Sequence, residues 1–186
     1  MVVNETGLMR AMKEAYKSAG YCVAAENTGD MENIILCTNT WAAIIEKKNM
    51  PRKALGLIAE HVGEIPQPGQ AYQVRKGDPQ TEIYDVVNQT IRAIHAGDKP
   101  LRIVKRTQLT MGCYQLWQRK DDLRIFQVNP ALEEILMLSR GTVRIVGDDT
   151  LMLDDLESRA YIAVEKVADQ EKAAFEHLSQ MQWVVM

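Results

Sequence analysis

The sequence has little of what most catalytic, secreted or membrane proteins need. Its 186 residues include only three cysteines, three histidines and two phenylalanines. No apolar run approaches the roughly 20 residues that span a bilayer, and residues 1–6 lack the basic-then-apolar order of a secretory signal. We therefore predict a cytoplasmic protein with no membrane partner.

Cysteine is too scarce for a disulfide framework. Cys22, Cys37 and Cys113 are odd in number, widely spaced and set among apolar or aromatic neighbours. Zinc sites need cysteine and histidine at short spacings, and the chain has no Cys-x-x-Cys pair and no two histidines within one helical turn. We predict three reduced core cysteines, no metal and no cofactor.

Catalytic motifs are also missing. None of the eleven glycines forms a phosphate-binding cluster, and no serine stands in a nucleophile elbow. His61, His95 and His177 fall near the ends of predicted helices, where a cation supports the last carbonyls. We predict a protein that is not an enzyme. An enzyme or ligand-binding module with a site around Cys113 and a histidine stays open as the alternative.

What the sequence does have is a pattern that occurs twice. An apolar hairpin leads into an Asn-Met-Pro helix start at residues 49–51, and another leads into an Asn-Pro helix start at 129–130. Strands and helices alternate irregularly, which favours α+β over a doubly wound parallel sheet. We predict two similar units of hairpin strands plus short helices, residues 1–97 and 98–186, which pack into one compact body and are preceded by an N-terminal helix. One continuous domain is the alternative.

Apolar periodicity and turn residues predict the individual elements. In the first unit we expect a helix capped by Asn4 or Thr6 and ended by Gly20, strands at 21–25, 34–37 and 41–46, a helix at 51–63, a strand at 71–74 and a helix at 78–97. In the second unit we expect strands at 101–104, 112–118 and 123–128, a helix at 129–138, strands at 143–146, 151–153 and 161–167, a helix from 169 and an edge strand at 183–185.

Charge is distributed unevenly along the chain. The net charge is −1 over residues 1–100, +4 over 101–144 and −6 over 145–186. A basic middle followed by an acidic end indicates a charged partner or two solvated faces.

Two groups of charged residues are the candidate binding sites. The acidic run fails the pattern of a calcium loop and predicts a patch that occupies a cationic groove on a partner. Its residues are Asp148, Asp149, Asp154, Asp155 and Glu157. The basic group, with Tyr114 and Trp117 nearby, predicts contact with a partner or with nucleic acid through charge and stacking. Its residues are Arg102, Lys105, Arg106, Arg119, Lys120 and Arg124. The alternative is structural: strands with charged side chains on the solvent face and aromatic side chains in the core would have the same residues.

Residues 12–21 (MKEAYKSAGY) and 57–66 (LIAEHVGEIP) resemble small accessory proteins of phages and conjugative elements in gut Firmicutes. That group looks like it includes type II-A anti-CRISPR proteins, which inhibit Cas9. The resemblance implies a non-catalytic inhibitor in the bacterial cytoplasm that binds a Cas9-type nuclease or its guide-RNA complex and blocks DNA targeting. It assigns no role to any single residue.

Overall fold

The structure is a computed structural model that describes residues 1–79, 81–83 and 99–183. Over these residues, an N-terminal helix and three shorter α-helices accompany an eleven-stranded sheet in which all neighbouring strands are antiparallel. The structure therefore agrees with the predicted α+β class only in combining helices with a sheet, and more of its residues are in strands than in helices.

The elements are numbered here in chain order. The α-helices are α1 (Glu5–Lys17), α2 (Arg52–Val62), α3 (Pro130–Glu133) and α4 (Lys172–Leu178). The strands are β1 (Tyr21–Thr28), β2 (Met31–Cys37), β3 (Trp41–Glu46), β4 (Ala71–Val74), β5 (Thr81–Glu82), β6 (Leu101–Met111), β7 (Tyr114–Arg119), β8 (Ile125–Val128), β9 (Arg144–Val146), β10 (Thr150–Asp154) and β11 (Ser158–Ala163). Their order across the sheet is β5-β4-β1-β2-β3-β11-β10-β9-β6-β7-β8.

Helix α1 begins as the sequence predicts. The Asn4 side chain accepts a hydrogen bond from the backbone N–H of Gly7 at 3.2 Å, which satisfies one of the free donors at the helix start. Leu8 and Met12 lie one turn apart and are fully buried. Gly20 follows with φ +84°, a left-handed conformation that suits glycine just past a helix.

The larger core lies between one face of the sheet and helices α1 and α2. It contains residues from the whole length of the sheet, including Val23, Ile34 and Ala43 from the first half and Ile145 and Leu151 from the second. The opposite face buries a smaller cluster that includes Ala24, Ile35, Cys37, Met152 and Tyr161. Strands from the two halves of the chain belong to the same sheet, because β3 pairs with β11.

The second half of the sheet curls back on itself. The register of β6 against β7 shifts between Arg106 and Thr110, and such an irregularity bends a strand. Beyond β7 and β8, the Glu165 N–H donates to the Gln127 carbonyl at 2.9 Å. The Gln127 side-chain amide donates to the Lys166 carbonyl at the same distance. The last strand of the sheet therefore meets the segment that follows β11.

Several predicted elements coincide with observed ones, and others extend too far, such as the strand predicted at 161–167, which ends at Ala163. The predicted strands at 41–46 and 71–74 match β3 and β4. Asn129 caps α3 by accepting from the Ala131 N–H, but the helix ends at Glu133 instead of 138. The chain leaves the helix because Leu136 bridges to Val3 and the Met137 N–H donates to the Val2 carbonyl.

Two further predictions fail at described residues. The helix predicted from residue 78 does not begin there, because Thr81 and Glu82 form β5 against β4. Residues 84–97 of that helix lie outside the described residues. Of the predicted edge strand, Trp183 is in no strand, and residues 184 and 185 lie outside the described residues. Cys113 is exposed rather than buried, because it occupies the tight turn between β6 and β7 beside Gly112 (φ +59°). In the described part of the chain, no helix combines the length and the apolar character that crossing a bilayer requires.

Candidate partner-binding groove

Charged residues from the basic middle and the acidic end of the sequence meet at one end of the curled sheet. Arg119 is the last residue of β7 and is buried despite its charge. Its guanidinium donates to Asp122 through Nε at 2.7 Å and through Nη2, and to Asp148 through Nη1 at 2.6 Å. Arg124 donates to the other oxygen of Asp148 at 2.5 Å. The Asp148 carboxylate therefore bridges two arginines.

An aromatic ring supports the same two arginines. The guanidinium carbons of Arg119 and Arg124 each lie 5.5 Å from the centre of the Phe126 ring, within the range of a cation–π contact. Hydrogen bonds from Arg119, opposed by partial burial, lower the pKa of Asp122 to about 2. Hydrogen bonds to Asp122 raise the pKa of Arg119 further above its ordinary value, against the cost of burial. The pair stays ionised at neutral pH.

More ion pairs extend this network outward. Arg102 lies 3.4 Å from Asp121 and 3.7 Å from Asp122, and Lys99 lies 3.4 Å from Asp149. These pairs are partly exposed, so each contributes little free energy by itself. Together with Arg119 and Arg124 they balance four cations against four carboxylates. Arg119 and Arg124 of the basic middle thus pair with Asp148 of the acidic end, whereas Arg102 pairs with carboxylates of its own segment.

An open groove of about 1100 Å³ lies beside this network. It is bounded by β8, by the turn between β9 and β10, by the segment after β11 and by α4. Its apolar lining residues are Ile125, Phe126, Val164, Val167 and Phe175. Its charged lining residues are Arg124, Lys166 and Lys172 on the one hand and Asp148, Asp149, Glu165, Asp169 and Glu176 on the other. The lining therefore combines five carboxylates, three cations and five apolar side chains, and one of the cations, Lys172, contacts Asp169 at 2.6 Å.

Helix α4 forms one wall of the groove and is held by both apolar and polar contacts. Phe175 is buried against Leu116 and Ile125. The Ser179 hydroxyl accepts a hydrogen bond from the Ile125 N–H at 3.2 Å. The Gln118 amide donates to the Met181 carbonyl at 2.7 Å. These contacts fix the wall relative to the strands.

The structure divides the acidic run between two places. Asp148 and Asp149 come just before β10, at the groove. Asp154, Asp155 and Glu157 lie at the opposite end of β10, which is about 17 Å away for a strand of five residues. Asp154 pairs with Arg144, and the Met1 amino nitrogen lies 2.8 Å from Asp155 and 2.9 Å from Glu157.

The basic group is also dispersed. Arg102, Arg119 and Arg124 belong to the charged network, whereas Arg106 binds Glu133 on α3 at 2.5 Å. Lys105 is exposed on β6, and Lys120 is half-buried just after β7. Trp117 is buried in the core and so presents no ring to a nucleic acid base. Phosphate binding would have to compete with existing carboxylates at Arg102, Arg106, Arg119 and Arg124.

The residues of the alternative enzyme site have separate surroundings. Cys113 adjoins Tyr114 at the β6–β7 turn. His61 on α2 stacks on Tyr16 with ring centres 3.6 Å apart and shares a 2.9 Å hydrogen bond with the Tyr21 hydroxyl through Nδ1. His95 lies outside the described residues, and His177 is exposed on α4. Among the described residues, no group of three or more His, Cys, Asp or Glu side chains could hold a metal ion.

Most residues of the groove belong to no sequence motif. Glu165, Lys166, Asp169, Lys172 and Glu176 were not singled out, because they belong to a segment without a motif. The signal that was available is the −6 charge of residues 145–186, to which Glu165, Asp169 and Glu176 contribute. Only the fold shows that they face Asp148 and Asp149.

Comparison with known proteins adds no relative. The chain matches no protein-family model, and no curated protein and no solved structure matches it at a significant level.

Proposed function

We propose that this protein is a non-catalytic binding protein that holds a basic segment of a partner in the groove beside Asp148. The observation that carries the proposal is that five of the eight charged side chains lining the groove are carboxylates, beside five apolar residues. Asp148, Asp149 and Asp169 already contact cations, so the acidity open to a partner comes mainly from Glu165 and Glu176 and from exchange of the 3.4 Å contact between Asp149 and Lys99. Such a surface favours a partner with lysine or arginine side chains spaced between apolar ones.

The carboxylates of the groove differ in how available they are. Asp148 already accepts from Arg119 and Arg124, so it acts mainly to hold the rim. Asp149 accepts a hydrogen bond from the Thr150 hydroxyl at 3.0 Å, its side chain is 65% exposed, and its contact with Lys99 is 3.4 Å long. A guanidinium from a partner can displace that weak contact and form a shorter pair with Asp149.

The partner that the sequence resemblance implies is a Cas9-type nuclease or its guide-RNA complex. Such nucleases hold nucleic acid in positively charged channels, and a segment of a channel wall has the basic character that the groove favours. We accordingly propose an anti-CRISPR type of inhibition in the cytoplasm of a bacterial host, in which the bound protein blocks access of target DNA.

The experiment is a titration of purified protein into a type II-A Cas9–guide assembly, read by size-exclusion chromatography and by cleavage of target DNA. Co-elution and loss of cleavage at a small molar excess support the inhibitor proposal. Normal cleavage at large excess, with no co-elution, overturns it.

Charge reversal separates the groove from the identity of the partner. Asp149→Lys combined with Glu165→Lys should abolish co-elution, whereas Glu60→Lys on the exposed side of α2 should leave it unchanged. If both variants bind equally well, the partner is bound elsewhere on the surface. A third outcome is that the native protein does not bind Cas9 but still binds an immobilised lysine- and arginine-rich peptide that the double variant does not bind. That result supports the groove as the binding site and rules out Cas9 as the partner.

We also propose that the chain contains two copies of one structural unit. Strands β1, β2 and β3 form a meander, and β4 returns after α2 to pair with β1. Strands β6, β7 and β8 form a second meander, and β9 returns after α3 to pair with β6. A shared 4-1-2-3 strand order supports a duplication. Superposition of β1–β4 on β6–β9 in an experimental structure tests the duplication. If α2 and α3 pack on non-equivalent faces of the superposed strands, the duplication is refuted.

A further inference from the structure

Two cysteines that are fifteen positions apart in sequence are direct neighbours across the sheet. Cys22 on β1 and Cys37 on β2 are paired in register, and both are free thiols. The register follows from the turn between the strands, where Gly29 (φ +61°) and Asp30 form a two-residue connection between Thr28 and Met31. Directly opposed residues of an antiparallel pair point to the same face.

The backbone hydrogen bonds place the two α-carbons within disulfide reach. The Ala25 N–H donates to Gln70 and its carbonyl accepts from Gly69, so Ala25 is directed away from β2. Because the direction alternates along a strand, Cys22 is directed toward β2 and forms a hydrogen-bonded pair with Cys37. The α-carbons of such pairs are about 5.5 Å apart, inside the range that a disulfide spans.

The pair is also open to reagents. Cys37 is buried, but Cys22 is only half-buried, and both line an open pocket of about 410 Å³ with Gly20, Asn39 and Gln73. Cys22 is therefore the more accessible of the two cysteines to a small molecule.

The two thiols have different acidities. A hydrogen bond from Cys37 lowers the pKa of Cys22, against the effect of partial burial. The same hydrogen bond and burial raise the pKa of Cys37. Cys22 is thus the better nucleophile at neutral pH, because the thiolate is the attacking species.

We propose that Cys22 and Cys37 form a thiol–disulfide exchange site for low-molecular-weight disulfides, in which Cys22 attacks and Cys37 resolves. The Cys22 thiolate attacks one sulfur of the small disulfide, forms a mixed disulfide and releases one thiolate. Cys37 then loses its proton to solvent and attacks the Cys22 sulfur, which releases the second small thiol. The two cysteines lose two electrons and two protons, and the small disulfide is reduced to two thiols.

The experiment uses glutathione disulfide as the probe and a Cys113→Ser background, because exposed Cys113 would react independently. Intact-mass spectrometry should show a product that has lost two hydrogens and carries no glutathione. Peptide mapping should locate the bond between residues 22 and 37, and dithiothreitol should reverse it.

Two further substitutions in the same background assign the roles. Cys37→Ser should stop at a stable adduct of one glutathionyl group on Cys22. Cys22→Ser should react at least about tenfold more slowly, since the remaining thiol is buried. Circular dichroism confirms that each variant is folded, and Cys37→Ala replaces Cys37→Ser if the serine variant is not.

Other outcomes overturn the proposal. Stable glutathionylation of the Cys113→Ser protein without loss of two hydrogens shows that Cys37 does not resolve the adduct. Equal rates for the Cys22→Ser and Cys37→Ser variants show that Cys22 is not the preferred nucleophile. Formation of the bond only after unfolding in urea shows that the native sheet does not support it.

Discussion

Arg119 and Asp148 join the basic middle of the sequence to its acidic end through a 2.6 Å hydrogen bond from Nη1 to Oδ1. Only 6% of the Arg119 side chain is exposed, whereas half of Asp148 is. Asp148 and Phe126 both line the groove, and Arg119 contacts each of them. The pair therefore couples the shape of the groove to the stability of the fold.

Replacement of Arg119 should destabilise the protein markedly. Arg119→Ala removes a buried guanidinium that donates to Asp122 and Asp148 and contacts Phe126. We expect a loss of about 2–3 kcal/mol in the free energy of unfolding, because charged hydrogen bonds of this kind contribute that much and both carboxylates remain partly solvated. Urea unfolding followed by circular dichroism measures it.

Arg124→Ala is the matched control for that measurement. Arg124 shares Asp148 and Phe126 but is 52% exposed, so its loss should cost less than about 1 kcal/mol. Equal losses for the two variants would show that the burial of Arg119 does not set its contribution.

Acid should weaken the fold through Asp122. The pKa of Asp122 is about 2 in the folded chain and about 4 for an unfolded aspartate, so the unfolded state takes up the proton first. The contribution of Asp122 is therefore complete above about pH 5 and is lost as the pH falls toward about 2. Urea unfolding at a series of pH values should show a flatter acid limb for Asp122→Asn than for the native protein. Parallel curves would rule out this source of acid sensitivity.

The close contact of α1 with the second half of the chain should make Gly7 irreplaceable. A β-carbon at Gly7 would overlap the Glu134 carbonyl and lie 2.8 Å from the Ile135 nitrogen, and backbone atoms cannot move aside. We expect Gly7→Ala to destabilise the protein by about 2 kcal/mol or more through overpacking. A change in the thermal unfolding midpoint, Tm, reports the effect.

Gly56 provides the opposite control within α2. A β-carbon there meets nothing within 4 Å, and the residue is helical and exposed. Gly56→Ala should therefore stabilise the protein by about 0.5–1 kcal/mol, through helix propensity and reduced freedom of the unfolded chain. A lower Tm for Gly56→Ala, or an unchanged one for Gly7→Ala, would contradict the packing described for these helices.

Local features were predictable from the sequence because they depend on neighbours in the chain. Asn4 and Asn129 cap helices as their positions indicate, and β3 has the predicted bounds. The end of α3 was not predictable, because the bridge from Leu136 to Val3 joins residues more than 130 positions apart. Tertiary pairing overrides the helical pattern there.

The sites show the same division. The pairing of Cys22 with Cys37 could have been derived, since a two-residue turn at Gly29 and Asp30 determines which residues face each other. The groove could not, because Asp149, Glu165 and Glu176 come together only through the curl of the sheet and the docking of α4. Charge totals along the sequence carry no information on which opposite charges neutralise each other.

Histidine titration should add a second pH dependence, near neutrality. Partial burial lowers the pKa of His61, and Lys13 acts in the same direction, although Glu60 opposes them. The Tyr21 hydroxyl lies 2.9 Å from Nδ1 and can donate to it only while that nitrogen is unprotonated. The unfolded state therefore binds the proton more readily, and stability should fall as the pH drops below about 6.5.

The Tyr21→Phe substitution tests this account at the atom concerned. It keeps the aromatic ring but removes the hydroxyl that favours neutral His61, so the pKa of His61 should rise toward its ordinary value and the stability loss below neutral pH should shrink. Titration of the His61 ring protons by NMR gives the pKa directly, and His61→Gln, which removes the titrating ring, identifies its share of the pH dependence. An unchanged His61 titration in Tyr21→Phe would mean that burial between α1 and α2, rather than the hydroxyl, holds this histidine neutral.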